Sequence, residues 1–163
     1  MYRIDPHNIT NYNRTTNQKQ AFLLFAIIAA GKNSKVQSEK LAQFLYPTGE
    51  AYISPFELIK QLNSVGMLDH SLRFNTMGQY TRITRAFTEV VDLDLDNCTT
   101  FDLEAIAGIG PKTARFFLLH TRSDEHYAVL DTHILRWMRE EMGVPTPKNT
   151  PSGKRYHDLE GDY

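Results

Sequence analysis

Cysteine is almost absent from this 163-residue chain: Cys98 is the only one. A single thiol excludes an intramolecular disulfide, and it cannot supply a four-cysteine zinc or iron–sulfur site. Long apolar runs are missing too. The longest, AFLLFAIIAA at 21–30, is too short to cross a bilayer and reads as a core helix. The opening MYRIDPHNITNYNRTTNQKQ has no apolar stretch of the kind a secretory signal needs, so an intracellular location is the expectation. The six histidines show no HxxxH, HxH or HExxH spacing, so no metal site is expected from side chains. Nor is there an excess of positive charge: 18 Lys and Arg stand against 19 Asp and Glu. That balance speaks against a broad basic surface for nucleic acid. It is uneven, however. Residues 72–88 hold Arg73, Arg82 and Arg85 and no acid, whereas 92–104 hold Asp92, Asp94, Asp96, Asp102 and Glu104 and no base. Such runs form either a polarised surface or ordinary solvated faces.

What remains is helical almost throughout, and the expected class is all-α. A polar arm (1–16) leads into an apolar helix over 18–30 that stops at Gly31. A second helix covers 35–45. Ser54 and Pro55 open a third that ends at Gly66, and 77–91 carry Tyr80, Ile83, Phe87, Val90 and Val91 on one face. Thr99 or Thr100 caps a short helix running to Ala107. A helix over 111–121, a short extended run YAVL and a helix over 132–142 follow, and YHDLE at the end resembles a single helical turn. Trp137, on an amphipathic helix, is expected in the core.

The stretch AGIGPKTARFF (107–117) is the most informative. Gly108 and Gly110 permit a tight hairpin and close approach by a ligand. Gly110 can act as N-cap with Pro111 at the first helical position, leaving free amides at a positive helix end, which is a ready phosphate site. A plain helix–helix turn would look the same. Lys112 sits at the second helical position, where the macrodipole disfavours a cation and partial burial would favour the neutral amine. A neutral lysine amine is a nucleophile able to form a Schiff base; a tolerated surface lysine is the simpler alternative. Asp131 precedes THILRWM and reads as an N-cap.

Taken together, LEAIAGIGPKTARFFLL and, nineteen residues from Lys112 to Asp131, AVLDTHILRWMRE resemble the helix–hairpin–helix DNA glycosylases. The wording is nearest the archaeal-type 8-oxoguanine enzymes, with the endonuclease III branch next. The iron–sulfur cluster of that second branch has no ligands here.

The resemblance implies a two-lobed helical fold. One lobe would be central (17–121) and end in the helix–hairpin–helix at about 100–121. The other would be built from 1–16 and 131–163 and be shortened at its C-terminus. It implies a monomer acting on double-stranded DNA with a flipped, damaged base, as a base-excision repair glycosylase and AP lyase. Lys112 is then the nucleophile that marks bifunctional members, and Asp131 is the carboxylate that supports base departure. Gly108, Ile109, Gly110 and Thr113 hold DNA backbone, and Phe116 lines the base pocket. No cofactor is required, although a monovalent cation often sits on hairpin carbonyls in this family.

Where the endonuclease III branch has a gap-filling glutamine, this chain reads AAGKNSK. Lys32 or Asn33 could take that role, or the segment is a helix stop and polar loop. His133 and Arg136 either touch DNA or orient their helix, and Arg82 and Arg85 are candidates for phosphate. Relatives usually carry a further C-terminal helix and base-recognition element, whereas this sequence stops at Tyr163. Two other readings share the scaffold. One is a viral-type enzyme of thymine hypermodification, transferring an amino acid or polyamine to an activated base. The other is a non-catalytic DNA-binding module.

Overall fold

The computed structural model describes residues 2–49 and 53–163. Among them the chain forms helices only: α1 (Thr16–Ala29), α2 (Ser34–Leu45), α3 (Pro55–Ser64), α4 (Leu68–Phe74), α5 (Tyr80–Val90), α6 (Thr100–Glu104), α7 (Pro111–Thr121), α8 (Thr132–Glu141) and α9 (Gly153–Asp162). Helix α1 starts two residues before the expected point, because Thr15 and Gln18 form a reciprocal capping box. Every residue from Ala21 to Ile28 is buried, so this helix is apolar all round and serves as the central post. Around it pack α2, α3, α5 and α7.

Two hydrophobic cores result. The larger collects side chains from Ile4 to Leu118, and the smaller joins Ala128, Leu130, Leu135, Met138, Tyr156 and Leu159. The N-terminal arm, expected with the second lobe, packs on the larger core through Ile4. Arg14 fastens the rest of the arm. Its guanidinium lies 3.9 Å from the centroid of the Phe22 ring and donates to the carbonyls of Ile9, Asn11 (3.0 Å) and His120 (2.7 Å).

Several expectations need correction. Helix α4 lies in a stretch between Gly66 and residue 77 that had no assignment; it is seven residues long, lacks a side-chain cap and buries two leucines, Leu68 and Leu72. The final turn expected at YHDLE is a ten-residue helix, held to the smaller core by Tyr156 and Leu159. Trp137 is not core: half its surface is exposed, and its ring meets Tyr163 edge-on at 6.2 Å.

Candidate active site

The hairpin is built by local chemistry. Thr99 and Asp102 form a capping box that opens α6, and the Ile109 amide donates to the Ile106 carbonyl (3.1 Å) to close the turn. Gly108 has φ +93°, and a Cβ there would stand 2.9 Å from Arg82 Cγ and 3.0 Å from the Arg82 carbonyl oxygen. Arg82 explains this closeness: it donates to the Gly108 carbonyl (2.9 Å) and to the Ile27 carbonyl (2.9 Å), stapling the hairpin to α1. Arg82 is therefore occupied within the fold, while Arg85 pairs with Glu89 on the surface at 3.1 Å. Glu89 in turn accepts the Ala107 amide (3.1 Å).

Beyond the turn, Gly110 caps α7 without a side chain and Pro111 has no N–H. The amides of Gly110, Lys112 and Thr113 have no hydrogen-bond partner among the described residues. A Cβ on Gly110 would meet nothing within 4 Å, so packing does not require glycine there. The two glycines should thus behave differently. Gly108→Ala is expected to destabilise the fold by about 2 kcal/mol or more, from a left-handed backbone conformation and overlap with Arg82. Gly110→Ala should leave thermal stability nearly unchanged and weaken duplex binding. Melting curves beside binding titrations check both.

A cavity of about 460 Å³, within the usual range for small-ligand sites, lies between the two cores. Its lining includes Ala29, Ala30, Lys112, Thr113, Phe116, His120, Tyr127, Asp131 and Tyr163. A second hollow, about 480 Å³, runs over the hairpin past Gly31, Gln79, Arg82, Gly108, Gly110 and Thr132. Ala30, Lys112 and Thr113 belong to both. Lys112 thus stands where the hairpin groove meets the deeper cavity, half-buried and without a salt-bridge partner among the described residues.

Asp131 is the N-cap of α8: its Oδ1 accepts from the amides of His133 and Ile134, both at 2.9 Å, and Oδ2 has no partner among the described residues. The residues before it rest on a ledge made by the C-terminal segment. Tyr156 Oη accepts from the Leu130 amide (2.9 Å) and donates to the Ala128 carbonyl (2.8 Å), while Thr150 Oγ1 donates to the Leu130 carbonyl (2.9 Å). Burial pushes the Tyr156 phenol up to about 12, so it stays a neutral donor.

Other expected site residues fall elsewhere. Ile109 has its side chain in the larger core and its amide already bonded, so it has no free donor for a phosphate. Asn33 caps α2 by accepting the Val36 amide (3.1 Å). Lys32 Nζ donates to the Met77 carbonyl (2.6 Å), and burial, with Arg82 and Lys40 nearby, lowers its pKa. His133 is exposed, and neither it, Lys32 nor Asn33 lines either hollow.

The sequence reading also overlooked residues that matter here. Gln79 has φ +47°, faces the groove and accepts from Arg82. Arg115, only 4% exposed, bridges Glu104 of α6 (2.5 Å) and Glu160 of α9 (2.6 Å) and reaches His157 (3.1 Å). Nothing in the local sequence marks Arg115 as buried, and its partner 45 residues on could not be read locally.

An all-helical fold whose helix–hairpin–helix delivers a lysine to a cavity between two cores is that of a helix–hairpin–helix DNA glycosylase. The family model for Ogg-HhH, 8-oxoguanine DNA glycosylase, matches residues 3–162, so the chain belongs to that family. No curated protein matches the sequence. Membership makes DNA the partner, and no helix among the described residues is long and apolar enough to cross a membrane.

Proposed function

We propose that the protein is a bifunctional base-excision repair enzyme of the archaeal 8-oxoguanine type, acting as an intracellular monomer on duplex DNA. It excises an oxidised base, 8-oxoguanine first among them, and then nicks the strand. The observation that carries this reading is that Lys112 and Asp131, from separate helices, line one cavity.

The damaged nucleotide leaves the stack and its base enters the cavity beside Phe116. The free amides of Gly110, Lys112 and Thr113 hold a backbone phosphate at the positive end of α7. The Lys112 amine attacks C1′ and the glycosidic bond breaks. The base leaves with the bonding electrons and takes up a proton, and the Asp131 carboxylate stabilises the positive charge that develops on the sugar. The amine proton passes to the ring oxygen as the C1′–O4′ bond breaks, which gives a Schiff base at C1′ and a free 4′ hydroxyl. A C2′ proton then departs and the C3′–O bond breaks, expelling the 3′ phosphate.

The reaction uses no cofactor. No iron–sulfur cluster takes part, since the ligands it needs exceed the one buried Cys98. Of the hairpin carbonyls, that of Gly108 accepts from Arg82, that of Ile106 from the Ile109 amide and that of Gly110 from the Ala114 amide, so a monovalent cation would have to share them.

A panel of lesion duplexes, assayed by mass spectrometry for free base and by borohydride for a trapped adduct, tests the proposal. Release of free 8-oxoguanine with trapping supports it. Transfer of an amino acid or polyamine to a retained thymine would favour hypermodification, and salt-sensitive binding without chemistry would leave only a DNA-binding module.

Asp131 has a structural and a chemical role that two variants separate. Asp131→Asn keeps an N-cap acceptor and should melt close to wild type, whereas Asp131→Ala should lose about 1 kcal/mol. Both should lose base excision, because neither retains the carboxylate charge. Calorimetry alongside single-turnover assays reads the two effects apart.

A further inference from the structure

The cavity that Lys112 lines carries a polar group that the proposed chemistry leaves unused. His120 lies two turns beyond Lys112 on α7 and lines the same cavity. Its ring is fixed from three sides. Phe116 meets it edge-on at 4.7 Å, Phe22 does so at 6.5 Å, and Thr10 Oγ1 lies 2.7 Å from Nδ1. The backbone behind it is fixed as well, since its carbonyl accepts from both Arg14 and the Asn11 amide. Nε2, by contrast, has no partner among the described residues. Burial and, after it, the Arg14 guanidinium lower the imidazole pKa, so the ring is neutral at physiological pH.

A neutral imidazole has one donor and one acceptor nitrogen, and which is which depends on the partner of the other. A threonine hydroxyl can donate or accept. Thr10 therefore fixes the ring while leaving Nε2 free to take either role.

Resting on the glycosylase reading above, we propose that His120 is a specificity-determining residue: its Nε2 hydrogen-bonds the edge of the extruded base, and Thr10 takes the complementary role at Nδ1. The substrate class is a base that offers a polar edge to His120, as an oxidised purine does at N7–H and the C8 carbonyl. The N-terminal arm, through Thr10, is then part of base recognition.

The test is binding rather than turnover, in a Lys112→Gln background that cannot react. Affinity is measured for two duplexes, one carrying 8-oxoguanine and one carrying a tetrahydrofuran abasic analogue. His120→Phe keeps an aromatic edge against Phe116 but removes the nitrogen, and should reduce the preference for the 8-oxoguanine duplex about tenfold. That matches the loss of one hydrogen bond to a group left buried. His120→Gln places a donor and acceptor near the Nε2 position and should restore part of the preference. Thr10→Val, on the exposed arm where folding is not at stake, should shift the same ratio in the same direction as His120→Phe. Equal effects on the two duplexes, or no effect on either, would overturn the assignment. If wild-type protein forms no Schiff base yet its lesion preference depends on His120, the chemistry fails and the recognition stands.

Discussion

Lys112→Gln should yield no borohydride-trapped adduct on 8-oxoguanine or abasic duplexes, with strand incision reduced about a thousandfold or more. Removing the nucleophile of a group that acts as a unit has effects of at least that size. Glutamine has similar reach and retains donor groups, but its amide cannot form an imine. Lys112 is half-buried and forms no ion pair among the described residues, so its loss should leave melting temperature nearly unchanged. Binding to lesion duplex should persist within about threefold, since the phosphate-facing amides belong to the backbone. Trapping at the wild-type rate in this variant would move the covalent step to another amine and sink the mechanism.

The largest effect on stability is expected at Arg115. Its guanidinium is buried against two carboxylates from helices that are far apart in sequence. Arg115→Met fills much of the volume but leaves Glu104 and Glu160 close together without a countercharge. Breaking a buried pair on one side costs about 3–5 kcal/mol. Both glutamates keep some solvent contact, near 20% of each side chain, so about 2–4 kcal/mol is the expected range here. For a chain of this size that lowers the melting temperature by roughly 5–15 °C. Adding Glu104→Gln and Glu160→Gln should recover part of it, because the uncompensated charges are then gone. A loss below about 1 kcal/mol in the single variant would show that α9 docks through its apolar face alone.

The features legible in the sequence were those written over a few neighbouring residues. Gly110–Pro111 marks the start of α7, Asp131 announces α8, and Thr99, one of two candidates, opens α6, because capping is chemistry between residues two or three apart. The meeting of Lys112, Asp131 and Phe116 in one cavity followed from family resemblance rather than from spacing. What could not be read was long-range. Arg14, Arg82 and Arg115 look alike as surface arginines, yet each is spent on carbonyls or carboxylates of a distant segment. Trp137 misled for a related reason. Leu135 and Met138 already supply the buried face of α8, which leaves the indole on its flank, and periodicity cannot tell flank from centre. Helix α4 has too few apolar positions to show a period at all.

The ledge under Asp131 has a consequence for the order in which the protein becomes competent during synthesis. The larger core, with the hairpin and Lys112, is complete once residue 118 is available. The segment that leads into Asp131 gains its support at Ala128 and Leu130 only when Thr150 and Tyr156 have emerged and docked. A growing chain would therefore have its amine in place well before its carboxylate. On the proposed mechanism, the hairpin half of the site matures first and the carboxylate half is withheld until α9 has folded.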